Sequence, residues 1–298
     1  MTQNRKTGHL ITETINPRTL DIDRRSSAEI IDLILNEDKI ITDAIEKERG
    51  NIAAAVDLIV GKLRAGGRIF FTGAGTSGRL GVMEAAECPP TFGTNPELIQ
   101  AIIAGGKDAV WHSVEGAEDS RTDAPGGLSE AGLSEEDVVI GIAASATTPF
   151  VEGGLLYAKN TRSGSVLITC NPVDASIADV TIELLVGPEV VVGSTRMKAG
   201  TATKMVLNML TTAAMVMLGK TYGNLMVDVR PRSSKLRDRA QRIVMHIGEV
   251  DEGRAYELLE ESGWDVKSAV VMAVKGLSYE EARELLAESK GFLRKAIG

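Results

Sequence analysis

Histidine, cysteine and tryptophan are scarce in this sequence, with three, two and two copies among 298 residues. Two cysteines, Cys88 and Cys170, make neither a disulfide framework nor a CxxC metal motif, so a reducing compartment is the simpler expectation. His9, His112 and His246 lie far apart, which leaves nothing for a His-rich metal site or a triad with a nucleophile elbow. Chemistry is therefore expected to run on carboxylates. Positive charge is also in deficit: 33 Lys and Arg face 41 Asp and Glu, and a net charge of −8 argues against a broad nucleic-acid or anionic-membrane surface. Long apolar runs are missing as well. Met205 to Leu218, the greasiest stretch, contains Asn208, Thr211 and Thr212 and falls short of the roughly 20 residues that span a bilayer. Residues 1–15 carry Arg5, Lys6 and Glu13 and no apolar core of signal-peptide length, so a cytoplasmic location is expected.

What is present centres on residues 68–92. Ile69 to Phe71 reads as a buried strand, Gly73 and Gly75 break it, and Thr76, Ser77 and Gly78 open a helix that Pro89 and Pro90 are expected to stop. Strand, glycine turn and helix start together make an anion site, because glycine permits close backbone approach and the helix start offers free N–H groups. Gly73-x-Gly75-x-x-Gly78 also fits the dinucleotide fingerprint, which expects an acidic residue about twenty positions on to hold a ribose. Leu98 stands there, so a single phosphate is the better reading.

Along the rest of the chain, Ser26 and Glu29 form a capping box ahead of Ile30, Ile31, Leu33 and Ile34. A second helix is expected from Glu37 to Lys47, and a third over residues 51–65. Strands are expected at 98–104, 137–143, 165–170 and 180–186, with helices between them, one at 108–118. Such βαβ units give a parallel sheet covered on both faces. Residues 194–219 read as a long helix with its approach. The basic run containing Arg230, Arg232, Lys235, Arg237, Arg239 and Arg242 is interrupted by Asp228 and Asp238, and its apolar positions keep helical spacing, so it reads as a solvated helix face. From about 250, glycines break the chain into short helices. The expected organisation is an arm with packing helices (1–49), an α/β domain with following helices (50–249) and a three-helix module (250–298).

Three clusters of polar residues fall at the ends of expected strands, where open α/β sheets bind ligands. They are Thr76, Ser77 and Gly78; Ser145, Thr147 and Thr148; and Ser194, Thr195 and Lys198. Each cluster taken alone is equally well read as a helix cap, but recurrence after successive strands favours phosphate. Among acids, Glu84 and Glu87 share a helix face. Glu87, expected in the last turn, would sit at the negative end of the helix dipole, which favours a protonated carboxyl able to act as a general acid. Glu115, Glu118 and Asp119 form a second acidic cluster. Surface charge near helix ends is the plainer account of both.

Several longer motifs go further. Gly73-Ala-Gly-Thr-Ser-Gly-Arg-Leu-Gly81, Glu87-Cys-Pro-Pro-Thr-Phe-Gly93, Glu115-Gly-Ala-Glu-Asp119, Cys170-Asn-Pro172, Gly187-Pro-Glu189 and Gly193-Ser-Thr-Arg-Met-Lys-Ala-Gly-Thr201 together resemble the N-acetylmuramic acid 6-phosphate etherase family of the sugar isomerase (SIS) domain group. The likeness runs from Thr12 to Arg294. It implies an α/β fold with a five-stranded parallel sheet flanked by helices (an SIS-type sandwich) and a small ubiquitin-associated-like three-helix module at the end. It also implies a bacterial cytoplasmic lyase, usually a homodimer, acting on a sugar phosphate without metal or other cofactor. By motif, Glu87 would be the proton donor and Glu118 the second catalytic carboxylate. One departure stands out. The family pattern Ser-Gly-x-Thr, often with Arg at x, reads Ser145-Ala146-Thr147-Thr148 here. Two rivals remain open at this point: a non-catalytic sugar-phosphate sensor of the same group, and an aldose-ketose isomerase.

Overall fold

The computed structural model describes residues 10–173, 175–229, 231 and 233–298. Arg5, Lys6 and His9, and Arg230 and Arg232 of the basic run, lie outside the described residues. The chain divides into two compact units, one made of residues up to 85 with 97–211, the other of 86–96 with 212–298.

In the first unit, α1 (Ser27–Asp38), α2 (Ile40–Lys47) and α3 (Arg49–Arg64) precede the sheet. The Ser26 hydroxyl accepts the Glu29 N–H, and the Glu29 carboxylate accepts the Ser26 N–H at 2.9 Å. Two of the N–H groups that a helix start leaves open are thereby satisfied. Along α3, Ile52, Val56, Ile59 and Val60 recur at helical spacing and are buried.

The strands β1 (Ile69–Gly73), β2 (Ile99–Ile103), β3 (Val138–Ile142), β4 (Gly164–Thr169) and β5 (Val180–Glu183) form one parallel sheet in the order β2-β1-β3-β4-β5. Every residue of β1, β3 and β4 is buried, as expected for a parallel sheet covered on both faces. One face packs against α5 (Asp123–Glu130) and α6 (Pro149–Thr161) through Phe70, Leu128, Val139, Phe150, Val151 and Leu155. Gly73 pairs with Ile103 on one side and Ile142 on the other, so the loops after β1, β2 and β3 open along one edge. From β1 the chain goes to β2 on one flank and then to β3 on the opposite flank. The carboxyl edge between β1 and β3 is thus the topological switch point, where such sheets hold ligands.

Two expectations are corrected. The helix α4 (Gly75–Phe92) does not stop at Pro89 and Pro90 but carries both inside it. Proline removes a donor, so the carbonyls of Ala85 and Ala86 lose their usual helical partners. The turn is closed instead by the Thr91 hydroxyl on the Glu87 carbonyl at 2.8 Å and by the Gly93 N–H on the Pro89 carbonyl at 3.0 Å. The helix expected at 108–118 is replaced by two short 3-10 turns, Lys107–Val110 and Ala117–Asp119. Gly105, Gly106 and Gly116 adopt φ of 84°, 69° and 74°, outside the helical range, and they bracket the segment.

The long helix α7 (Lys198–Met217) passes the division at 211–212, as α4 passes the one at 85–86. In the second unit, α8 (Ser234–Gly248), α9 (Glu252–Glu261), α10 (Val266–Lys275), α11 (Tyr279–Glu288) and α12 (Leu293–Ile297) surround one core that includes Ile243, Val244, Leu259, Val270, Val271 and Leu286. Residues 250–298 therefore share their core with α8. Lys235, Arg237 and Arg242 lie on the exposed side of α8, and Arg242 pairs with Asp238 at 2.7 Å.

Candidate active site

The glycines after β1 divide their labour. Gly75, at φ 55° with open space where a Cβ would stand, makes the turn. Gly78 serves packing: a Cβ there would come within 2.5 Å of the Gly73 carbonyl oxygen and of Ile103. Its N–H donates to the Ala74 carbonyl at 3.3 Å, so Gly78, expected to bind phosphate, has its amide engaged within the chain. Gly81 likewise lets α4 lie against Phe71, only 2.8 Å from where its Cβ would stand. Thr76 and Ser77 occupy the first turn of α4, where N–H groups lack helical partners and favour an anion. Among the described residues their hydroxyls have no protein partner.

After β3, the Ser145, Thr147 and Thr148 hydroxyls cluster, with Ser145 Oγ 3.4 Å from Thr148 Oγ1 and 3.5 Å from Thr147 Oγ1. Ala146, between them, is buried and held at φ 63°, the left-handed backbone in which the family pattern has glycine. The loop is fixed from below by Asn171, which follows β4 and is fully buried. Its Nδ2 donates to the Ala144 carbonyl at 2.7 Å and to Thr12 Oγ1 at 2.9 Å.

The third cluster is only partly available. Ser194 and Thr195 are half-buried with hydroxyls free of protein partners among the described residues. A Cβ on Gly200 would lie 3.5 Å from the Thr76 methyl and 3.3 Å from the Thr195 carbonyl, so the starts of α4 and α7 meet here. Lys198, expected to bind phosphate, is buried with its ammonium 2.6 Å from Glu37. A charge taken out of water requires such a partner, and Glu37 on α1 supplies it while also accepting from Arg18 at 2.9 Å. Glu189, also fully buried, accepts the N–H groups of Lys198 and Ala199 at 3.0 and 2.9 Å and so caps α7, while burial pushes its carboxyl above the usual range.

The acids separate. Glu84 is buried, and its carboxylate accepts the Thr211 hydroxyl and, at 2.7 Å, the Asn208 amide, so it fastens α4 to α7. Glu87 is exposed and precedes the last turn of α4 instead of lying in it as expected. Glu118 is exposed on the short turn after β2 and lines a cavity of about 350 Å³ together with Glu115, His112, Arg79 and Gly75. That cavity adjoins the start of α4. Arg79 and Asn171 carry no weight in the reading of single residues, although both lie inside the motifs Gly73 to Gly81 and Cys170 to Pro172. Their contacts span loops that only folding brings together.

A parallel sheet with hydroxyl-bearing loops at its switch point defines an α/β protein of the SIS class, and residues 51–159 match the glucokinase regulatory protein N-terminal SIS domain. Over 292 residues the chain is 50% identical to N-acetylmuramic acid 6-phosphate etherase of Trichodesmium erythraeum, covering 97% of this chain and 95% of that protein. The same-named protein of Mesorhizobium japonicum is 49% identical, with 97% and 94% covered, and N-acetylmuramic acid 6-phosphate etherase 2 of Vibrio cholerae is 48% identical, with 97% and 95% covered. The chain belongs to the N-acetylmuramic acid 6-phosphate etherase family.

Proposed function

We propose that the chain is a carbon-oxygen lyase that removes D-lactate from N-acetylmuramic acid 6-phosphate and adds water, leaving N-acetylglucosamine 6-phosphate. The observation that carries this reading is Glu118 lining a cavity beside the phosphate-type start of α4, in a chain 50% identical to a named etherase. An unactivated ether resists hydrolysis. In the open-chain sugar, however, the C2 proton is acidified by the neighbouring aldehyde. Glu118 removes that proton, Glu87 protonates the departing lactyl oxygen at C3, and water adds to the unsaturated aldehyde. The phosphate rests on the hydroxyls of Thr76, Ser77, Ser145, Thr147, Thr148, Ser194 and Thr195, which supplies orientation. Lys198 supports this arrangement from behind through Glu37 instead of touching the ligand. A homodimer acting in the cytoplasm on sugars recovered from the cell wall, with residues 250–298 as a ubiquitin-associated-like module, completes the proposal.

Lactate release from N-acetylmuramic acid 6-phosphate tests it directly. Glu118→Gln and Glu87→Gln should each keep the fold and ligand binding yet lose at least about 100-fold in turnover, the scale of general acid-base assistance. Product formed in heavy water should carry deuterium at C2. Wild-type turnover in both variants would sink the assigned roles, and a ketose phosphate without lactate would make the protein an isomerase.

A further inference from the structure

Arg79 is half-buried at the beginning of the second turn of α4, and it reaches the segment after β2. Its Nε donates to the Val110 carbonyl and its Nη2 to the His112 carbonyl, both at 2.9 Å. That segment carries Glu118 and has little regular structure. Residues 111–116 are exposed, Trp111 as much as 81%. The Trp111 and His112 N–H groups turn back to the Asp108 carbonyl at 3.1 and 3.0 Å. Two further contacts lie along the chain: Val114 is 2.9 Å from where a Cβ on Gly105 would stand, and beyond Glu118 the Arg121 carbonyl lies against Gly153 of α6, leaving no room for a side chain there. Ahead of both, Arg79 ties the segment to α4 at Val110 and His112. A guanidinium presents its N–H groups in one rigid plane, so two carbonyls two residues apart are fixed together, which a lysine ammonium on a flexible stem does not reproduce. Arg79 and Glu118 also line the same cavity.

We propose that Arg79 is a positioning residue that sets Glu118 relative to the start of α4, so that base and anchored phosphate keep the separation the elimination needs. The kinetic part of this inference rests on the etherase reading; the structural part does not. Both parts are tested on the full chain with Arg79→Lys and Arg79→Ala, by hydrogen exchange and by lactate release. The Trp111 and His112 amides, the two in this segment that donate to the Asp108 carbonyl, should exchange about tenfold faster or more in both variants, while β1 and β3 keep their protection, because the opening is local. Turnover should fall about 10- to 100-fold, the range a misplacement near 1 Å produces, with KM moving less than about threefold. Millimolar guanidinium should restore part of the Arg79→Ala rate and leave Arg79→Lys unchanged.

Wild-type exchange at Trp111 and His112, or a loss confined to KM, overturns the proposal. So does faster exchange with unchanged turnover. If the wild-type protein releases no lactate, the etherase reading fails, and exchange alone decides: faster exchange keeps the tether, unchanged exchange removes it. Should Arg79→Ala not fold, exchange and turnover of Arg79→Lys decide between the same outcomes.

Discussion

Ala146 occupies left-handed backbone at φ 63°, in the loop that gathers the Ser145, Thr147 and Thr148 hydroxyls. An L-residue there costs about 1–2 kcal/mol, and glycine avoids most of that while adding about 0.5–1 kcal/mol of unfolded-chain freedom. Ala146→Gly should therefore raise stability by up to about 1 kcal/mol, less whatever the buried methyl contributes, whereas Ala146→Val should lower it by more than about 1 kcal/mol because a branched side chain tolerates this backbone least. Urea unfolding of the three proteins checks both, and a more stable Val variant would contradict the backbone argument. The departure from the family pattern was visible in the sequence. That it falls on a residue with positive φ was not, because an alanine gives no sign of the backbone it will be forced into.

Glu37 links three pieces of chain: α1, on which it lies, Arg18 of the amino-terminal arm, and Lys198 at the start of α7. The Arg18 hydrogen bond is the main reason its carboxyl is held down to about 2, with Lys198 adding to the effect against the opposing cost of burial. A carboxyl with a depressed folded value contributes stability above its ordinary value of 4.5, and that contribution is lost as pH falls toward about 2. Acid unfolding should thus steepen between those limits, and Glu37→Gln should flatten this limb. At neutral pH the same substitution should cost about 3–5 kcal/mol, since it leaves the Lys198 ammonium buried without a charged partner. Urea unfolding at pH 7 and pH 3 measures both effects; an equal loss at the two values would refute the pairing as the cause. Helix α1 itself was legible from its capping box. Its partner at position 198 was not, because nothing local in either stretch reports the other.

At the level of the chain, the proposed homodimer makes a plain prediction. Light scattering should return twice the 31.7 kDa chain mass, and a monomer that still releases lactate would remove the homodimer from the proposal. Division of the chain into two units was only partly readable. Glycine breaks after 250 marked the short helices, yet the unit containing them begins at Thr212 and takes in residues 86–96. Segment 86–96 could not have been assigned from sequence, since it belongs to a helix that starts in the first unit.

Composition and periodicity were enough to establish a parallel α/β sheet, the capping box of α1 and the strand-end hydroxyl clusters. These follow from local preference and from apolar runs that have to be buried wherever they occur. The folded chain was needed to show that α4 carries two prolines inside it, that Gly78 serves packing and Lys198 serves Glu37, and that Arg79 holds the loop of Glu118. The roles of Lys198 and Arg79 turn on atoms distant in sequence meeting at about 3 Å, and hydrogen bonds and charge pairs are governed by that distance, not by the order of residues along the chain.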